Sequence, residues 1–178
     1  MVLAPTTADT MIHHTTRRTF CAFGLVAAAG AAFATPAPHG GPILTVSGRI
    51  APPDGGTSAA FDRAALEGLG TEGFVTSTPW YNRPVYFEGV RMDRLMRAVG
   101  AGGDTVTVVA LNDYTTDLPI PDFERYGTLL ALKRDGAYMP VRDKGPLFVV
   151  YPYDSRPELK SHMYYSRSAW QVSDLVVK

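Results

Sequence analysis

Four short stretches hold side chains whose types and spacing could do chemistry. They are Thr76-Ser77-Thr78-Pro79-Trp80-Tyr81-Asn82-Arg83, Leu111-Asn112-Asp113-Tyr114, Arg142-Asp143-Lys144-Gly145-Pro146, and Tyr164-Tyr165-Ser166-Arg167-Ser168-Ala169-Trp170. Trp80, Tyr114 and Trp170 supply flat apolar faces. Asp113 and Asp143 supply acceptors, and Asn112, Arg142 and Lys144 supply donors. Together these suit the non-covalent capture of a heteroaromatic ring, stacked on its face and hydrogen-bonded at its edge. Singly, each stretch has a plainer account. A Trp or Tyr is more often core than ligand platform. Asn-Asp after a strand is commonly a turn, and Arg-Asp-Lys-Gly a solvated hairpin loop. Tyr164-Tyr165 could equally cover the end of the core. Their weight is collective, because all four fall at element ends, where sites are built on rigid scaffolds.

Other chemistries are narrowed by what the N-terminus removes. Thr16-Arg17-Arg18-Thr19-Phe20 precedes an apolar run to Phe33, and Ala32-Phe33-Ala34 is a small-x-small cleavage pattern. Paired arginines followed by x-Phe match a twin-arginine export signal, with an ordinary secretory leader as the alternative. Residues 1–34 are therefore expected to be a signal peptide, with Met1 or Met11 as its start, and the mature protein to be periplasmic. Cleavage there removes the only cysteine, Cys21, and two of the four histidines, His13 and His14. His39 and His162 remain. Zinc, copper or iron sites built from Cys and His are essentially excluded, as is a Cys nucleophile. The 17 basic and 17 acidic residues of the 178-residue chain balance, and no Lys/Arg run provides an electrostatic footprint for nucleic acid.

The elements that must position these loops follow from the pattern. Thr35–Pro42 reads as a Pro/Gly linker, and residues 43–178 as a single domain. Strands are predicted at Ile43–Gly48, Phe74–Thr78, Val85–Phe87 (turned by Glu88-Gly89), Thr105–Leu111, Tyr114–Leu118, Leu129–Leu132, Leu147–Tyr151 and Trp170–Val177. Short helices are predicted at Arg63–Leu69 behind an Asp62 cap, Met92–Val99 on a 3.6-residue apolar stripe, Pro121–Arg125 and Pro157–Tyr164. Strands outnumber helices without regular alternation. The expected class is α+β: a β-rich mixed sheet or barrel with short helices, not a doubly wound sheet.

From Trp80 to Trp170 the chain resembles the oxidoreductase molybdopterin-binding domain, the sulfite-oxidase fold. The residues that carry the resemblance are Pro84 to Leu95 (PVYFEGVRMDRL), Ala110-Leu111-Asn112-Asp113-Tyr114, Ile120-Pro121, and Arg142-Asp143-Lys144-Gly145-Pro146-Leu147 running to Tyr151-Pro152. Catalytic members of that family hold molybdenum through a cysteine, where this chain offers Thr76, Ser77 and Thr78. A hydroxyl is a poor substitute for a soft anionic thiolate. Thr78-Pro79-Trp80, Leu111–Tyr114 and Arg142–Leu147 are similar instead to a thiol-free, PruR-like subgroup of short exported proteins.

That resemblance implies a reduced pterin (such as a tetrahydropterin) as cofactor, with molybdopterin less favoured. It implies that the loaded protein regulates a transmembrane diguanylate cyclase or phosphodiesterase through the enzyme's periplasmic domain. The alternative is a small periplasmic molybdopterin-dependent oxidoreductase. The expected cofactor-binding residues are Thr78, Trp80, Asn112, Asp113, Tyr114, Arg142, Lys144, Arg167 and Trp170, with no catalytic residue and no metal ligand. A pterin's amino and ring N–H groups would donate to Asp113 or Asp143. Arg142, Lys144 and Arg167 would contact a phosphate if molybdopterin were bound.

Overall fold

The computed structural model describes residues 41–178. The expected signal peptide, with Cys21, lies outside the described residues, as does most of the expected linker, including His39. Among the described residues ten strands and four short helices follow one another: β1 Leu44–Gly48, β2 Ser58–Phe61, α1 Arg63–Gly68, β3 Thr71–Thr76, β4 Val85–Arg91, α2 Met92–Ala98, β5 Thr105–Ala110, β6 Thr115–Pro119, α3 Pro121–Tyr126, β7 Leu129–Arg134, β8 Ala137–Tyr138, β9 Phe148–Val150, α4 His162–Arg167 and β10 Val172–Val177. The class is mixed α+β, strand-rich with few short helices. The strands form two sheets, and neither closes into a barrel.

The first sheet runs β2-β1-β10-β5-β6 and is mixed, because β1 and β10 are parallel and the other pairs antiparallel. The second runs β3-β4-β7-β8, with β9 beside the first half of β7, and is antiparallel throughout. An isolated bridge from Phe148 to Trp170 touches the sheets together. Alternation does what period-two patterning requires: in β5, Val106, Val108 and Ala110 turn inward while Thr105, Thr107 and Val109 are half-exposed. Phe87, Phe123, Phe148, Tyr151 and Tyr153 are the largest fully buried side chains of one continuous core.

The helices form where local chemistry favours them. Asp62 caps α1 by accepting from the Ala65 N–H at 2.7 Å. α2 buries Met92, Leu95 and Met96, with Val99 just beyond its end. Each such side chain contributes roughly 1.5–3 kcal/mol over exposure. Its buried Asp93 accepts from Arg91 (2.8 Å) and Arg97 (2.7 Å). Burial pushes that carboxyl up, but the two guanidiniums outweigh burial and hold it below the usual range.

Three expectations change. Glu88-Gly89 does not turn the chain, because β4 runs on to Arg91 through a register shift there. Gly89 serves close approach: a Cβ would run into the Leu130 carbonyl of β7. The helix expected over Pro157–Tyr164 divides into a 3₁₀ turn at Pro157–Leu159 and α4. β2 and β8 are strands the pattern did not indicate, being short and exposed.

Candidate functional site

A cleft of about 290 Å³ opens between the loop after β3, the turn between β5 and β6, and the segment from α4 to β10. Trp80, Asn112, Tyr114, His162, Tyr165 and Trp170 are its principal walls, with Ser166, Ser168 and Ala169 completing it.

Local bonds fix each wall. The loop after β3 is clamped to the 3₁₀ turn Tyr153–Ser155: the Ser77 N–H donates to Asp154 (2.6 Å), and the Asp154 N–H donates to the Thr76 hydroxyl (3.1 Å). Lys160 adds an ion pair to Asp154 at 2.7 Å. The Thr78 hydroxyl accepts from the Trp80 N–H at 3.3 Å, which sets the turn into Trp80. In the β5–β6 turn, Asn112 Oδ1 accepts from the Tyr114 N–H (3.3 Å), with Asp113 in the left-handed region (φ 62°). The Tyr114 hydroxyl donates to the Ser166 carbonyl at 2.7 Å and so ties that turn to α4. Ser168 lies deep in the wall: it meets the buried Tyr153 hydroxyl and donates to the Tyr164 carbonyl at 3.0 Å. Burial pushes the Tyr153 hydroxyl far up, so it stays neutral.

Trp80 is the hub of an aromatic cluster. It meets Trp170 at 5.7 Å between ring centres and 75° between planes, Phe148 at 5.5 Å, Tyr165 at 6.2 Å and Tyr153 at 6.3 Å, all edge to face. Perpendicular indoles cannot sandwich one ligand. A flat molecule in the cleft stacks on one and meets the edge of the other.

Four of the nine residues singled out from sequence line this cleft: Trp80, Asn112, Tyr114 and Trp170. The other five sit elsewhere. Thr78 is buried beneath the Trp80 turn. Asp113 is exposed at the turn tip and Arg142 is exposed in the 3₁₀ turn Val141–Asp143. Lys144 is half-buried, with its ammonium 5.4 Å from the centre of the Trp170 ring, and does not line the cleft. Arg167 is not free for a phosphate; it pairs with Asp122 at 2.9 Å, both side chains mostly buried. Asp143 likewise binds Arg134 in a two-bond fork (3.1 and 2.7 Å), which holds its carboxyl below the usual range.

Of the other cleft residues, His162 lies outside the four stretches singled out from sequence, and Tyr165 and Ser166 lie in the fourth stretch but not among the expected binding residues. Their signal is helical spacing, because positions i, i+3 and i+4 share one face of α4. Among the described residues no carboxylate lines the cleft; its edge groups are an amide, an imidazole, hydroxyls and backbone. Among the described residues no three His, Cys, Asp or Glu cluster as metal ligands would, and no helix is long and apolar enough to cross a membrane.

No family model matches the chain, and no curated protein matches it. What the coordinates define is a strand-rich α+β domain with an aromatic cleft where its two sheets meet.

Proposed function

We propose that this is a ligand-binding module whose cleft takes a flat bicyclic heteroaromatic ring, a reduced pterin. The observation that carries the reading is the cleft's make-up: two nearly perpendicular indoles and two phenols around an amide, an imidazole and hydroxyls, with no carboxylate in the lining. A volume near the low end of ligand pockets (about 300 Å³) suits a small bicycle. The pterin edge both donates and accepts. Asn112, His162 and Ser166 offer donors and acceptors for those groups. Stacking contributes roughly 0.5–1.5 kcal/mol beyond area burial, and neutral hydrogen bonds about 0.5–1.5 kcal/mol each.

The resemblance to thiol-free members of the sulfite-oxidase fold supports the same reading and extends it. In that extension the protein is exported to the periplasm through a twin-arginine leader. Loaded with pterin, it docks on the periplasmic domain of a transmembrane enzyme that makes or degrades cyclic di-GMP.

The test is to purify the exported protein, extract it with acid, and measure pterin fluorescence and molybdenum together. A released pterin without metal is expected. Stoichiometric molybdenum would overturn the reading in favour of a molybdopterin oxidoreductase. Co-purification of the two periplasmic pieces only in the presence of pterin is the expected result for the partner.

A further inference from the structure

Among the described residues the outer strands of the two sheets are protected unequally. β8 has two residues and β2 four, and β6 ends in Pro119 with α3 and α4 packed against it. Short edges, proline and covering helices are the usual defences against pairing with another chain. β3 has none of them along Thr71–Val75. It is six residues long, lies at the end of its sheet, and exposes Thr71, Glu72, Gly73 and Val75. Val75 is 60% exposed. The one charge on the strand, Glu72, is turned to Arg94 at 2.5 Å.

The direction of the free backbone groups follows from β4. The Tyr86 N–H donates to the Asp135 carboxylate (3.2 Å) and the Tyr86 carbonyl accepts from the Asp135 N–H (2.8 Å), so both point toward the β7 side and away from β3. Val75, paired with Tyr86, therefore turns its own N–H and C=O to the open edge, and Gly73 and Thr71 follow by alternation. Among the described residues nothing bonds these groups. The free stretch stops at Ser77, next in the same series, whose N–H is taken by Asp154 at 2.6 Å. Its midpoint is Gly73, where a Cβ would run into the Tyr86 hydroxyl and the Phe87 carbonyl.

We propose that β3 is a self-association edge, on which a second copy of this chain pairs antiparallel about a two-fold axis through Gly73. That register sets Thr71 against Val75 of the second copy, Gly73 against Gly73, and Val75 against Thr71. Every free N–H and C=O of the stretch then has a partner. Opposed residues fall on the same face, so both cores lie on one side and the two antiparallel sheets become one. The stretch is its own complement. β-Branched Thr71 and Val75 meet as cross-strand pairs, Glu72 falls opposite Phe74 rather than another Glu72, and two glycines let the backbones meet on the axis. An edge-to-edge contact of this length is small, so the dimer is weak and concentration-dependent.

Sedimentation velocity on the purified protein should show a dimer with a Kd of about 1–100 µM. Val75→Pro and Thr71→Pro each delete an N–H that faces only the open edge, so β3 stays paired with β4. Each should raise the Kd by about tenfold or more with the melting transition kept. Val75→Lys leaves the backbone untouched and should weaken the dimer in the same direction. Amide exchange by NMR checks the register: Gly73 and Val75 should be protected only at high protein concentration, and Glu72 and Phe74, whose amides face β4, at every concentration. A monomer throughout, which would leave the edge to a foreign strand, would overturn the proposal. So would a dimer indifferent to all three substitutions. Protection of Gly73 and Val75 in the monomer would overturn it too, because another part of the same chain would then lie on β3.

Discussion

α4 presents the same kinds of side chain on two faces and uses them in opposite ways. His162, Tyr165 and Ser166 turn to the open cleft. Tyr164 and Arg167 turn to the interior, where Tyr164 donates to the Tyr126 hydroxyl (3.0 Å), packs 5.2 Å from Tyr151, and Arg167 pairs with Asp122. The buried face is closed: its charges neutralise each other and its rings fill space. The open face leaves an imidazole and a hydroxyl beside unstacked indole surface. Residue type does not separate binding from architecture here; partners and burial do. Arg167 and Lys144 illustrate this: both are basic and close to Trp170 in space or sequence, yet Arg167 is held in an ion pair with Asp122 while the Lys144 ammonium lies over the rings of Tyr81 and Trp170.

The largest effect expected from that contrast is on the closed face. Arg167→Leu leaves Asp122 mostly buried without its cation and should destabilise the fold by roughly 2–4 kcal/mol at pH 7, read by urea unfolding. Burial already raises the Asp122 carboxyl above its usual range despite the attraction of Arg167. Without the guanidinium the group takes up a proton more readily in the folded state than in the unfolded one. The folded form then gains protons as pH falls, so the loss should shrink from pH 7 toward acid. A loss that does not change with pH would show the pair is not what matters. On the open face, Trp170→Leu should weaken pterin binding by roughly tenfold or more while costing little in melting temperature, because the core beneath is intact. The reverse pattern would make Trp170 structural and void the division between the two faces.

How far this was legible in the sequence follows the same line. The apolar stripe of α2 and the β-branched run of β5 are local signals, and both elements form where they are expected. The Glu88-Gly89 bulge was not legible, because the need for glycine comes from β7, which pairs with β4 from about forty residues downstream. Trp80, Asn112, Tyr114 and Trp170, expected from their place at element ends, line one cleft. Arg167 and Thr78 do not, because Arg167 is held by Asp122 and the Thr78 hydroxyl by the Trp80 turn, partners that exist only in the folded chain. His162 and Tyr165 were within reach of helical spacing, had α4 been placed at His162–Arg167.

A smaller effect sharpens the closed face. Among the described residues the buried Tyr151 hydroxyl, near Asp122, has no hydrogen-bond partner, and burial pushes it far up. Removing an unsatisfied hydroxyl relieves a desolvation penalty, so Tyr151→Phe should be neutral or stabilising by up to about 1 kcal/mol. A loss of similar size in thermal unfolding would mean that the hydroxyl donates to Asp122 in solution.

The smallest expected effect is at Asp113, the carboxylate that composition alone would place against a pterin's N–H groups. It sits exposed at the tip of the β5–β6 turn in the left-handed region, where Asp and Asn are both tolerated. Asn112 beside it fills the cleft wall instead. Asp113→Asn keeps the turn geometry and removes only the charge, so pterin affinity should change by less than about twofold. If the open face recognises its ligand through neutral groups, this charge is not part of the site. A loss of tenfold in titration calorimetry would mean that the turn swings to bring Asp113 over the cleft when the ring is bound, and the open face would then carry a charged contact after all.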